Sequence, residues 1–93
     1  MPSAADEGNL LMFFGNDCEH CHEMDPLVEK LEKEEGVKIK KLEAWHNSKN
    51  AKLLAEKDTI GCGGVPFFFN ENSGKGLCGA VPYETFKKWA LGK

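Results

Sequence analysis

The sequence carries no excess of basic charge: 12 lysine and arginine residues stand against 15 aspartate and glutamate residues, a formal net charge of −3. Its lysines are interleaved with glutamates, so no basic patch is readable. Nucleic acid and membrane are therefore not expected as partners. A long hydrophobic run is also missing, since the longest, Leu10 to Phe14, is far too short to span a bilayer. The first residues lack the basic start and apolar middle of a secretory signal. A soluble, reducing compartment is expected, the cytoplasm or an organelle stroma. Internal repeats, linkers and low-complexity segments are absent, and 93 residues leave no room for a second core. One domain over residues 1–93 is expected, monomeric, with residues 1–8 flexible.

The apolar fraction of 41% and charged fraction of 29% are those of an ordinary soluble globule. Four cysteines are too few for a disulfide-dense secreted scaffold, yet more than an ordinary domain carries. Two of them form one close C-x-x-C, Cys18-Glu19-His20-Cys21, while Cys62 and Cys78 stand alone. That asymmetry favours redox or metal chemistry over a structural framework.

Leu10 to Phe14 reads as a strand covered on both faces. Met24, Leu27, Val28 and Leu31 then recur at helical spacing, with Asp17 as the expected N-cap and Gly36 as the stop. Cys18 thus falls at a helix N-terminus and Cys21 one turn further in. Val37 to Trp45 reads as a second strand, and Asn50 to Lys57 as a short helix with Ala51, Leu54 and Ala55 inward. Thr59 to Gly64 is a glycine-rich loop. Val65 to Phe69 is an apolar strand with proline near its start, Asn70 to Gly76 a turn, and Leu77 to Val81 a short strand. Tyr83 to Leu91 closes the chain as a helix with Phe86, Trp89 and Ala90 on one face, between Pro82 and Gly92. The resulting class is α/β, with order β-α-β-α-β-β-α. A strand–helix–strand opening implies a parallel pair, and a turn-linked pair an antiparallel one. A four-stranded mixed sheet flanked by helices follows.

A strand, a C-x-x-C opening a helix, and a Val65-Pro66 after a glycine loop together resemble the thioredoxin-like superfamily, in a minimal, glutaredoxin-like form. The match extends to Pro26, five residues after Cys21, and to Gly79-Ala80 beyond the following strand. The resemblance covers about residues 9–91. It implies a proline in cis at Pro66, facing the redox pair, and a substrate-binding edge made by Val65, Pro66 and Gly79. The sequence departs from the thioredoxin pattern at Met12, where those proteins bury an aspartate, and at Asp17, where they carry tryptophan. Glu19-His20 replaces the usual dipeptide between the cysteines. The two signatures by which glutaredoxins hold glutathione are only half present, as Gly64-Val65-Pro66 and Leu77-Cys78-Gly79.

A thiolate, not a thiol, attacks a disulfide. Cys18 sits where first-turn N–H groups and the helix dipole stabilise an anion. His20, when protonated, adds a nearby positive charge, while Glu19 can turn into solvent. The expected catalytic set is therefore Cys18, Cys21 and His20. Cys18 attacks a protein disulfide, and the more buried Cys21 resolves the mixed disulfide. No cofactor is required. The implied partners are disulfide-containing proteins and an upstream thiol reductant. A stable thiolate makes the pair a better oxidant, with a potential of roughly −200 to −230 mV against about −270 mV for thioredoxin. With Met12 in place of an acid, the proton of Cys21 is expected to pass to water, Glu23 or Lys41.

Cys62 and Cys78 fall on loops that border the redox site in the resembled superfamily. The plainer and preferred reading makes them two small apolar residues packed near the surface; the sharper one makes them a second, regulatory disulfide or a shared metal site. The alternative for the whole chain is a zinc- or Fe–S-binding module built from Cys18, Cys21, Cys62 and Cys78. Against it, structural zinc sites usually show two close ligand pairs, and only one is present. His22 reads as a surface residue, His46 receives no role, and Trp45 and Trp89 read as packing residues.

Overall fold

The computed structural model describes residues 10–92, so the expectation for residues 1–8 lies outside the described residues. The elements follow in the order β1 (Leu10–Phe14), α1 (Glu19–Glu23), α2 (Asp25–Glu35), β2 (Ile39–Glu43), α3 (Ser48–Lys57), β3 (Phe67–Asn70), β4 (Lys75–Cys78) and α4 (Tyr83–Ala90). They build one four-stranded sheet ordered β2-β1-β3-β4. β1 runs parallel to β2 and antiparallel to β3, and β3 pairs antiparallel with β4.

The apolar run of β1 is covered on both sides, as its lack of alternation implies. Leu10 and Met12 face a layer made by Cys21, Met24, Val28 and Leu31 of α1 and α2 and by Phe86 and Trp89 of α4. Leu11 and Phe13 face the opposite layer, with Phe67, Phe69 and the leucines of α3. Phe13, Phe67, Phe68 and Phe86 are fully buried, each contributing roughly 1.5–3 kcal/mol over exposure. Phe68, Phe86 and Trp89 form an aromatic cluster with centroids 5.1–5.5 Å apart.

Several local expectations change. The helix after Cys18 is two helices, divided at Met24. Pro26 has no N–H to give to the carbonyl four residues back, so α1 cannot run through it, whereas the first turn of α2 tolerates it. Gly36 ends α2 in the left-handed region at φ 66°, donating its N–H to the Glu32 carbonyl. In α3 the half-buried apolar residues are Leu53 and Leu54, while Ala51 and Ala55 are exposed. The larger leucines decide the inward face, and short alanines follow it. β2 is shorter than Val37 to Trp45, and Trp45 is 52% exposed rather than packed in the core.

Asn70 belongs to β3, not to the turn, and is buried. Its amide donates to the carbonyls of Trp89 and Ala90 at 3.1 and 3.2 Å, and its Oδ1 accepts the N–H of Asn72 at 2.9 Å and of Ser73 at 3.3 Å. One side chain thereby ties the hairpin to the end of α4, with every polar atom paired as burial requires. Lys75 and Gly76, read as turn residues, open β4, which ends at Cys78 rather than Val81.

Candidate functional site

Beyond β1 the chain makes a turn through Gly15, Asn16 and Asp17 before entering α1. Cys18 closes that turn by donating its N–H to the Gly15 carbonyl at 3.0 Å. The carboxylate of Glu43, at the end of β2, holds the neighbouring backbone. It accepts N–H groups from Asn16 at 3.1 Å, Trp45 at 3.2 Å and His46 at 2.7 Å. Partial desolvation opposes ionisation of Glu43, but these donors outweigh it and hold its carboxyl below the usual range.

The N-cap of α1 is Cys18 itself, not Asp17. Its Sγ accepts the N–H of Cys21 at 3.2 Å, in the manner of a capping oxygen. α1 has only five residues, and the N–H aimed at the sulfur is this local one. Cys18 and Cys21 are both free thiols and both buried, at 6% and 1% exposure. Cys21 lies in the apolar layer beneath the sheet with Met12 and Met24. Burial pushes its thiol up to about 12, helped by the hydrogen bond and charge of Cys18.

His20 turns away from this pair. Its ring is largely exposed and its Nδ1 lies 3.5 Å from Glu23 Oε1. His22, read as a bare surface residue, is more engaged: Nε2 lies 2.9 Å from the Asn16 carbonyl and Nδ1 3.2 Å from Asp25 Oδ2. Both ring nitrogens face acceptors, which only the imidazolium can satisfy at once. The His22 pKa is accordingly raised, first by the Asn16 carbonyl and then by Asp25. Lys41 pairs with Asp25 at 3.0 Å. Desolvation works against the Asp25 carboxylate, but Lys41 and His22 hold its pKa low. The Asp25 charge in turn helps, in small part, to keep Cys21 protonated.

Opposite Cys18 stands the loop that follows α3. Asp58 accepts the N–H groups of Cys62 and Gly63, both at 2.8 Å. The Val65–Pro66 peptide bond is cis. The Val65 carbonyl lies 4.0 Å from Cys18 Sγ. Gly79, at φ 85°, donates its N–H to the Pro66 carbonyl at 2.8 Å. Val65, Pro66 and Gly79 are thus brought to one edge beside the sulfur. An open groove of about 350 Å³ continues from Val65 past Gly63 and Gly64 to Trp45, Ala51 and Ala55.

Cys62 and Cys78 are joined in a disulfide, with Cα atoms 5.6 Å apart. The preferred reading of two separate apolar side chains is overturned: the sheet carries β4 back past the glycine loop, and that closure is not visible along the chain. The four-cysteine metal module falls with it, because two of its sulfurs bond to one another. Among the described residues no group of three or more cysteine, histidine, aspartate or glutamate side chains is placed to hold a metal ion. Nor is any described helix long and apolar enough to cross a membrane.

The backbone is similar to that of a solved glutaredoxin from Archaeoglobus fulgidus, with a TM-score of 0.58 at 21% identity, covering 89% of this chain and 85% of that one. The chain has a thioredoxin-like fold. No protein-family model matches the sequence, and no curated protein does either. Within the thioredoxin-like frame, Met12 pairs in register with Lys41 of β2. Glu43, His22 and Asp25 were all missed as site residues. The only signal in the sequence was indirect: each falls at the end of an element that borders the C-x-x-C turn.

Proposed function

We propose that the chain is a thiol–disulfide oxidoreductase acting on protein disulfides through Cys18 and Cys21. The observation that carries this reading is the hydrogen bond from the Cys21 N–H to Cys18 Sγ, set against the buried, protonated thiol of Cys21 itself. One sulfur is supplied with a donor suited to a thiolate, and the other is held in reserve.

Cys18 attacks one sulfur of the substrate disulfide. The substrate S–S bond breaks, a Cys18–substrate disulfide forms, and the other substrate sulfur leaves as a thiolate. That step removes the charge on Cys18 that helped keep Cys21 protonated. Cys21 can then ionise more readily at the moment it is needed. It attacks Cys18 Sγ, forms the Cys18–Cys21 disulfide and releases the second substrate sulfur, so two electrons pass to the substrate. An upstream thiol reductant returns the pair to the dithiol. The Val65 carbonyl and the groove beyond it support an extended substrate segment at the sulfur. Substrate binding is assigned to Val65, Pro66 and Gly79. His20 stands on the solvent side beside Glu23 and makes no bond to the sulfur.

Reduction of insulin disulfides by dithiothreitol, followed by turbidity, tests the reading. The wild-type chain accelerates precipitation, and Cys18→Ser abolishes the acceleration. A Cys18→Ser variant as active as wild type would overturn the assignment.

A further inference from the structure

The Cys62–Cys78 disulfide has no part in the exchange just described, yet it joins the two segments that border Cys18 on the far side. Cys62 lies three residues before Val65, whose carbonyl lies 4.0 Å from Cys18 Sγ. Cys78 directly precedes Gly79, whose N–H holds the Pro66 carbonyl. The glycines of the loop add no side-chain packing, although Val65 beyond them packs against both apolar layers and Pro66 is buried. A Cβ built on Gly61, Gly63 or Gly64 would meet nothing within 4 Å, and Gly61 and Gly63 have φ of 72° and 73°. Asp58 holds Cys62 and Gly63 by their N–H groups, and the disulfide supplies the second tether.

The two sulfurs are unequally placed. Cys78 is exposed at the end of β4, whereas Cys62 is half-buried against the layer of Phe13 and Phe67. An attacking thiolate therefore has access at Cys78. Cys78 belongs to neither apolar layer of the sheet, whereas Cys62 packs against one of them.

From this placement we propose that Cys62–Cys78 is a second thiol–disulfide exchange site, entered at Cys78 by a dithiol reductant, whose state governs how firmly the Val65–Pro66 edge is held beside Cys18. The first thiolate of the dithiol attacks Cys78 Sγ. The Cys62–Cys78 bond breaks, and Cys62 leaves as a thiolate that takes a proton from water. The second thiol of the reductant then closes on the first, forming the reductant's own disulfide and releasing Cys78 as a thiol. Two electrons enter the protein, and the glycine loop loses its covalent tie to β4 while the Asp58 hydrogen bonds remain.

The exchange is tested in the Cys18→Ser/Cys21→Ser variant, which keeps only the second pair and so does not depend on the proposed function. Native protein is equilibrated in mixtures of reduced and oxidised dithiothreitol, quenched with a high-mass maleimide and counted by gel shift. A reversible gain of two maleimides without denaturant is expected. With Cys62→Ser added, the remaining Cys78 is expected to react with an aromatic disulfide reagent at least tenfold faster than Cys62 does with Cys78→Ser added. Maleimide uptake only after denaturation, or faster reaction at Cys62, overturns the exchange site. The governing role rests on the proposed function and is read separately. Cys62→Ala/Cys78→Ala is expected to lower kcat/KM for insulin reduction several-fold while small-molecule alkylation of Cys18 is unchanged; equal kcat/KM overturns that role alone.

Discussion

The sulfur of Cys18 accepts the backbone N–H of Cys21 at 3.2 Å, while the thiol of Cys21 is buried and pushed up to about 12. A raised thiol pKa means that the reactive thiolate is scarce at neutral pH. Its fraction on Cys21 at pH 7 is lower by about a thousandfold than for a thiol at 9.0, and it keeps rising tenfold per pH unit up to about pH 11. Iodoacetamide should thus label Cys18 of the reduced protein first. Peptide mapping across pH 7 to 11 is the check, with no plateau expected for Cys21 below about pH 11.

His22 links the turn before the motif to α2, and it does so best as an imidazolium. Its folded pKa is raised above the ordinary 6.5. A base with a raised pKa contributes stability that is complete below its unfolded value and disappears as pH rises through the folded one. Wild type should therefore exceed His22→Gln in urea midpoint at pH 5.5. The difference should shrink from about pH 6.5 upward, as paired denaturation curves would show.

Asn70→Ala leaves the carbonyl of Ala90 and the N–H groups of Asn72 and Ser73 without their side-chain partner, while the Trp89 carbonyl keeps only the Gly92 N–H. A loss of about 2–4 kcal/mol in urea unfolding is expected, from buried groups left unpaired. Asn70→Asp should be no better, since a carboxylate cannot donate to two carbonyls. Cys18 lies at the far end of β1 from Asn70, so its alkylation rate should be unchanged in the folded variants.

Gly15 is buried beneath the Trp45 indole, and a Cβ at that position would overlap the ring. Gly15→Ala should displace Trp45, visible as a red shift and altered quenching of its fluorescence. The same substitution should slow insulin reduction, because the groove beside Val65 is lined by Trp45.

Much of this was legible along the chain. The unbroken apolar run of β1, the helical spacing from Met24 to Leu31 and the Val65-Pro66 after a glycine loop each point to one element and one place in the sheet. The redox pair was legible because a C-x-x-C is local: both sulfurs lie within a single helical turn. What stayed hidden is long-range. Glu43 reaches the Asn16 N–H only because β2 lies parallel to β1 and ends beside the Gly15–Asp17 turn, whereas its bonds from Trp45 and His46 are local. Cys62 and Cys78 meet only because β4 returns along β3. Asn70 looked like a turn former, since its residue type favours turns, and only the packing of α4 explains its burial. Residue propensity favours Asp17 as the N-cap, whereas the thiol of Cys18 takes that place one residue later.

Cys21→Ser should capture the central step most directly. The reduced variant is mixed with a protein disulfide, and the adduct is mapped by mass spectrometry. The account predicts a stable mixed disulfide on Cys18, absent from wild type because Cys21 resolves it. An adduct carried elsewhere, or a wild-type adduct that persists as long as the variant's, would contradict it.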